Sequence, residues 1–384
     1  MTSFRCHAWL LAIGMCFFAG QVAAQTAPLS DVLNALGLTK DNVPALRHDP
    51  VARAGPFFDA RLSADAKRSC ASCHEPGKAW TGSVVAAAAG EPDKRAVPSL
   101  NAAGQASFLF WDGRANSLEA QVMEVLENPV EMNGSRLLAV KFSANPDSGV
   151  TDCRPDTRLL SELNDIGNEQ LSSRRYRSIY ERMSLDDRRA VDRSFACVAH
   201  AIAQFVRAIP YPENLWSAAT LGQRDPAKEN PAAFRGAIVF AGSGRCATCH
   251  YGPYMTDNQF HNIGIGDLKE ADISDPGRYG AVKAMANNPY NQLATSNYSP
   301  TGAITRFRLS EEMWGAFKTP SLLQLNEIGP YMHNGKYKSI EEVVDYYDTL
   351  RGSVAPPHHY NGLIVPLHLS PTERADLIAF LKSL

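Results

Sequence analysis

Three things are scarce in this 384-residue chain. Beyond its first 24 residues, no stretch is long and apolar enough to span a bilayer, which argues against a helical integral membrane protein. No run of Lys and Arg stands out. With 38 basic and 40 acidic residues the formal charge is −2, so no electrostatic footprint for nucleic acid is present. Strand-like alternation of polar and apolar residues is rare, which points to a mainly α fold. A fourth absence is local: no histidine occurs between His74 and His200.

The opening segment, "MTSFRCHAWLLAIGMCFFAGQVAA", carries one Arg, an apolar stretch and the small-residue end Val22-Ala23-Ala24. This is the pattern of a secretory signal peptide over residues 1–24, cut before Gln25. A membrane anchor is the competing reading, but the apolar run is short and has no stop-transfer flank. Cys16 follows Met15, which does not resemble a lipoprotein cleavage site. Cleavage removes one Arg and no acid, moving the charge from −2 to −3. A periplasmic protein without a membrane span is expected, long enough for two domains.

Cysteine usage is the informative part. Of eight cysteines, Cys6 and Cys16 lie in the leader. Cys70, Cys73, Cys246 and Cys249 fall in two C-x-x-C-H strings, "CASCH" (70–74) and "CATCH" (246–250). Cys153 and Cys197 remain, an even pair in an oxidising compartment. A disulfide is the default expectation, and two buried free thiols are the alternative.

C-x-x-C-H is the attachment signature of c-type heme. Its spacing lets both thiols reach one porphyrin edge, and the adjacent His ligates the iron from below. A thioredoxin-like redox pair would need a βαβ context, which is missing. A zinc site would gather four thiolates, whereas here each pair carries its own His. The sequence therefore predicts two covalent heme c groups, with His74 and His250 as proximal ligands.

Both motifs follow a Gly and an aromatic-rich turn, in "ARAGPFFDARLSADAKRSCASCH" and "AAFRGAIVFAGSGRCATCH". This is a duplication signal. It predicts two cytochrome c-like domains, 25–215 and 216–384, each with one heme. The last stretch, "SPTERADLIAFLKSL", reads as a helix capped by Ser370 with Glu373 three residues on.

Two other segments stand out. In "FLFWDGRANSLEAQVMEVLENPVEM" (108–132), Asn116 with Glu119 reads as a capping box. Leu118, Val122, Val125 and Leu126 then share one helix face. Gln121 sits inside that apolar stripe, Pro129 forces a turn, and Glu131 follows. A core Gln bonded to backbone, a surface Glu and a packed Trp111 are the bland alternatives. In "KSIEEVVDYYD" (338–348), Ser339 and Glu342 mark a helix start. Ile340, Val343, Val344 and Tyr347 share a face, so Tyr347 is expected to point inward and Tyr346 to a rim or solvent.

"CASCH", "FWDGRA…Q…NPVEM", "CATCH", "FHNIG", "FKTPSL" and "GPYMHNG" run in an order that resembles the bacterial diheme cytochrome c peroxidases, and within them the MauG-like enzymes. The resemblance implies chemistry driven by hydrogen peroxide. It implies that Trp111 lies between the hemes and carries electrons. It makes Gln121 and Glu131 the distal polar pair, with Gln121 orienting peroxide and Glu131 moving a proton.

In peroxidases proper a loop histidine covers the first heme. That slot falls near Gly90 in "SVVAAAAG", so the first heme is expected to stay open. Met313, Met332, His333, Tyr346, Tyr347, His358 and His359 are candidates for the second heme's sixth ligand, and the resemblance implies Tyr347, fourteen residues after His333, where peroxidases carry Met. Tyr ligation lowers the reduction potential and suits storage of an oxidising equivalent.

Three departures accompany the likeness. The family's calcium asparagine falls on Ala96, leaving only carbonyls near Ile328 and Pro330 for a calcium ion. The surface tryptophan through which MauG oxidises its protein substrate falls on Gly244. A distal-pocket proline is Val125. A MauG-like oxidase acting on a protein or other electron-donating substrate is one expectation. A peroxidase fed by a small periplasmic cytochrome c is the second, and a non-catalytic electron-transfer cytochrome is the third.

Overall fold

The computed structural model describes residues 27–45, 55–82, 85–86, 95–150, 153, 155, 157–266, 274–285, 287–297, 308–354 and 364–384. The leader and the slot near Gly90 lie outside them. The described chain is mainly helical. Its strands are two short antiparallel pairs, Val85–Ala86 with Arg95–Ala96 and Phe260–His261 with Phe317–Lys318. No described helix is long and apolar enough to cross a membrane.

Side-chain caps start most of the helices that matter. Ser184 Oγ accepts from Asp187 N and opens the long helix Leu185–Arg207. Ser370 and Glu373 form both arms of a capping box at helix Pro371–Leu381, and Pro371 sits in its first turn. Ser339 caps Ile340–Thr349 by accepting from Glu342 N.

One start differs from the sequence reading. Helix Leu118–Glu127 is capped by Ser117, whose hydroxyl accepts from Ala120 N, and not by Asn116. Asn116 is engaged elsewhere, its backbone N–H donating to Asn291 Oδ1. Glu119 is also taken, gripped by Arg207 and His200 at 2.7 and 2.9 Å.

Two large apolar cores organise the chain. The first joins Phe57, Leu62, Trp80, Leu118, Met123 and Leu126 to Phe195, Ala199 and Ile202 of the long helix. The second joins Trp216, Phe234, Phe240, Leu323, Val344 and Phe380. Two helices pack against chain order. Val32 and Leu36, from helix Leu29–Ala35, pack in the second core, while Ala294, from helix Pro289–Asn297, packs in the first. Cys153 and Cys197 are joined in a disulfide, which ties the loop to the long helix and resolves the thiol alternative.

Helices Pro231–Ala241 and Pro371–Leu381 cross closely at Gly236. A Cβ there would meet Asp376 O at 1.9 Å, and neither backbone can yield. Arg235 pins the crossing with two hydrogen bonds of 2.7 and 2.8 Å to Asp376. Gly236→Ala is therefore expected to cost about 3 kcal/mol, read as a lower denaturant midpoint. An unchanged midpoint would show that the helices can separate freely.

Candidate functional site

The two C-x-x-C-H strings fold alike. Each opens as a single 3-10 turn, Cys70–Ser72 and Cys246–Thr248. The histidine N–H of each bonds back to the first cysteine carbonyl at 2.9 Å. His74 Nδ1 pairs with Trp80 O at 2.9 Å and His250 Nδ1 with Met255 O at 3.1 Å. With Nδ1 donating to a carbonyl, Nε2 keeps its lone pair for a metal. Burial lowers the pKa of both rings and so favours the neutral, ligating form. Trp80 and Met255 are held at φ 57° and 48°, a left-handed conformation that aims each carbonyl at its imidazole.

The thiols suit thioether formation better than thiolate chemistry. All four cysteines are free, and burial pushes Cys70 and Cys246 up to about 12. The donor set fits two hemes: at each motif two cysteine thiols adjoin an imidazole whose Nδ1 is held by a backbone carbonyl.

The likeness of the halves extends well past these strings. Thr81 follows Trp80 and donates through Oγ1 to Val97 O. Thr256 follows Met255 and donates to Thr319 O. Those carbonyls begin "VPSL" (97–100) and "TPSL" (319–322). Further on, Leu109–Ala115 and Tyr331–Tyr337 form matching bridges. Phe110 and Met332 share φ of 66° and 70°, as Gly113 and Gly335 share 72° and 70°.

Ser117 and Ser339 then cap ten-residue helices. Residue for residue, Trp111 matches His333, Gln121 matches Val343 and Val125 matches Tyr347. "FWDGRANSLE" and "MHNGKYKSIE" carried this signal as the shared Gly-x-x-x-Ser spacing, but sequence reading did not pair them.

A cavity of about 280 Å³ lies beside the second motif. His250, Cys246 and Cys249 line it, and the stripe Ile340, Val343, Val344 and Tyr347 lines it as well. Tyr347 thus faces the cavity, as the helical phase predicts. Tyr346 does not go to a rim or solvent. It is 2 % exposed and its hydroxyl donates to Ile263 O. Loop residues cover this second face of the helix too, so the 100° step from Tyr347 leads to another interior. Asp257 accepts from His261 Nε2 at 2.8 Å and holds it protonated, placing a cation beside Cys249.

Trp111 and Gln121 line the same cavity. Trp111 Nε1 donates to Ala96 O at 2.8 Å, while Trp111 O accepts from Lys318 N at 2.7 Å. Its neighbour Asp112 shares Arg95 with Asp275, at 2.7 and 2.8 Å. The Ala96 carbonyl is therefore engaged by the indole.

Glu131 lies by the first motif. Its charge acts on Cys70 and Cys73, and Arg68 Nη1 bonds Val130 O at 2.9 Å. Among the described residues, Glu131 Oε2 is buried without a hydrogen-bond partner, and burial raises the carboxyl to about 7. Glu131 is therefore not the surface carboxylate of the bland alternative.

Two heme-attachment motifs on a duplicated helical frame, with an inward carboxyl beside one of them, define the class: a diheme oxidoreductase. Comparison with known proteins agrees. Residues 56–225 match the family model described as di-haem cytochrome c peroxidase. The methylamine utilization protein MauG of Methylorubrum extorquens is 32% identical, over 85% of this chain and 75% of the relative. The cytochrome-c peroxidase IdrP1 of Pseudomonas sp. (strain SCT) is 27% identical, over 97% of this chain and 90% of the relative. The fold resembles that of the diheme peroxidase BthA from Burkholderia thailandensis, with a TM-score of 0.59 at 20% identity, over 88% of this chain and 87% of that one. The chain belongs to the diheme cytochrome c peroxidase and MauG family, whose members are heme-dependent enzymes acting on peroxide.

Proposed function

We propose that this is a MauG-like periplasmic oxidase that consumes hydrogen peroxide and oxidises a protein or other electron donor at a distance. What supports this reading most is the helix stripe ending in Tyr347, on the wall of the cavity that His250 also lines. In this reading His74 and His250 would hold the two irons, Tyr347 would also ligate the second, and the four motif cysteines would bind the porphyrins. Heme supplies redox chemistry on peroxide when bound. The chain's own residues do the rest. Glu131 takes and returns the peroxide proton, Gln121 orients the incoming molecule, and Trp111 passes electrons between the halves.

The second reading is a peroxidase drawing electrons from a small periplasmic cytochrome c. Its support is the likeness to IdrP1 over nearly the whole chain. Rapid turnover of reduced cytochrome c with peroxide is the outcome that would favour it.

Electron paramagnetic resonance on the resting holoenzyme tests the first reading. One high-spin and one low-spin ferric signal are expected. Tyr347→Met should move the low-spin signal and raise the potential of that heme, since a thioether favours ferrous iron where a phenolate favours ferric. A low-spin signal indifferent to the substitution would remove Tyr347 as ligand.

A further inference from the structure

The duplicated frame gives a role to a residue that the family likeness leaves unassigned. Trp111 and His333 hold equivalent places in the two halves, and each lends its carbonyl to the opposite half. Lys318 N donates to Trp111 O and Ala96 N donates to His333 O, both at 2.7 Å. Ala96 and Lys318 are themselves equivalent, each directly preceding its Val97-Pro98 or Thr319-Pro320. The pair of bonds is thus reciprocal, as across a twofold axis.

The side chains at the two places differ in how they are satisfied. The Trp111 indole N–H is used by Ala96 O. The His333 ring is only 7 % exposed, and neither of its nitrogens bonds to a described protein group. Phe317 stacks on its face, with centroids 3.6 Å apart and planes 12° from parallel, so the ring cannot turn away. The ring lines the cavity that His250 and Tyr347 also line. The ring opens only onto that cavity, so its N–H is left to bond whatever the cavity holds.

The cavity wall mixes aliphatic side chains such as Ile340, Val344 and Leu377 with the cations Arg245 and Lys318, and the charges of Asp275, Arg95 and Lys336 act on the His333 ring itself. The molecule the cavity is read to hold is a porphyrin, whose polar groups are two carboxylates. We propose that His333 is a positioning residue that donates a hydrogen bond to a carboxylate of the heme held by His250. The inference rests on the diheme reading above. No bond is made or broken. The neutral imidazole N–H donates, the carboxylate accepts, and the donor draws negative charge away from the ring system. Both backbones then bridge the halves, while the side chains differ: the Trp111 indole is held by Ala96 O, and the His333 ring is left to fix the second heme's orientation and potential.

His333→Phe keeps the stack and removes the donor, while His333→Gln returns an N–H donor. Both are made in the full-length holoenzyme, and heme is counted per chain. His333→Phe should retain the low-spin signal and lower that heme's midpoint potential. A tenfold change in the reduction equilibrium is expected, about 59 mV for one electron. The pH at which the potential bends should move upward, and His333→Gln should reverse most of both changes.

An unchanged potential and pH profile would overturn the proposal. So would loss of the low-spin signal, which would make His333 an iron ligand. If His333→Phe fails to load heme, the Gln variant decides: potential near wild type supports the hydrogen bond, and a Phe-independent loss of loading in both overturns it. One heme per wild-type chain would instead remove the diheme reading, and this proposal with it.

Discussion

Glu131→Gln is expected to slow the reaction with peroxide by about 10²–10⁴-fold. The carboxyl is beside the first motif, its Oε2 is buried without a partner among the described residues, and Gln is nearly isosteric but cannot carry a proton. The effect should fall on the bimolecular step with peroxide and leave both heme signals in place. The pH dependence gives a second handle. Burial raises Glu131 from the ordinary carboxylate range to about 7, so the free carboxylate needed to accept a proton accumulates as pH rises through 7. The wild-type rate should climb through that region, and the Gln variant should be flat.

Stability should run the other way. A carboxyl whose pKa is raised by folding favours the native state below its unfolded value, and that advantage is lost as pH climbs to about 7. Glu131→Gln should therefore gain stability over wild type above neutrality and not in acid. A wild-type rate independent of pH, together with a fully active Gln variant, would exclude Glu131 as the proton carrier.

Val125→Tyr is the second large effect. Val125 occupies in helix Leu118–Glu127 the position that Tyr347 occupies in Ile340–Thr349, eight residues past the capping serine in each case. A phenol there should reach the first iron as Tyr347 is proposed to reach the second. The high-spin signal should give way to a second low-spin one, and the reaction with peroxide should fall by at least about tenfold. Val125→Phe, which adds the ring without the hydroxyl, should keep the high-spin signal. Retention of full peroxide reactivity by Val125→Tyr would mean that the two helices present different faces to their hemes.

How much of this was legible beforehand follows from what kind of signal each part leaves. The two C-x-x-C-H motifs and their like folding were legible because attachment chemistry would fix residue type and spacing together, in "CASCH" and "CATCH". Tyr347 was legible through helical period. Tyr346 was not, because one helix can be buried on two faces, and a loop from a distant part of the chain, carrying Ile263, covers the second. The Asn116 cap failed for a similar reason. Asn and Ser are both good caps, and Asn291, far along the chain, claimed the Asn116 backbone N–H. The crossing of Leu29–Ala35 into the second core and of Pro289–Asn297 into the first was also unreadable, since neither segment names its partner. The fuller duplication was present in the letters. Its clue was geometric, the paired left-handed residues Phe110 and Met332, and nothing about Phe or Met advertises a positive φ.

The reciprocal bonds Ala96–His333 and Lys318–Trp111 make the junction equivalent to that of a twofold dimer whose subunits have been joined end to end. In a true homodimer every substitution appears twice, so a ligand gained at one iron is gained at both. Joining the copies in a single chain removes that constraint. Val can stand where its counterpart is Tyr, and Trp where its counterpart is His, so that the two sites are free to diverge within one frame.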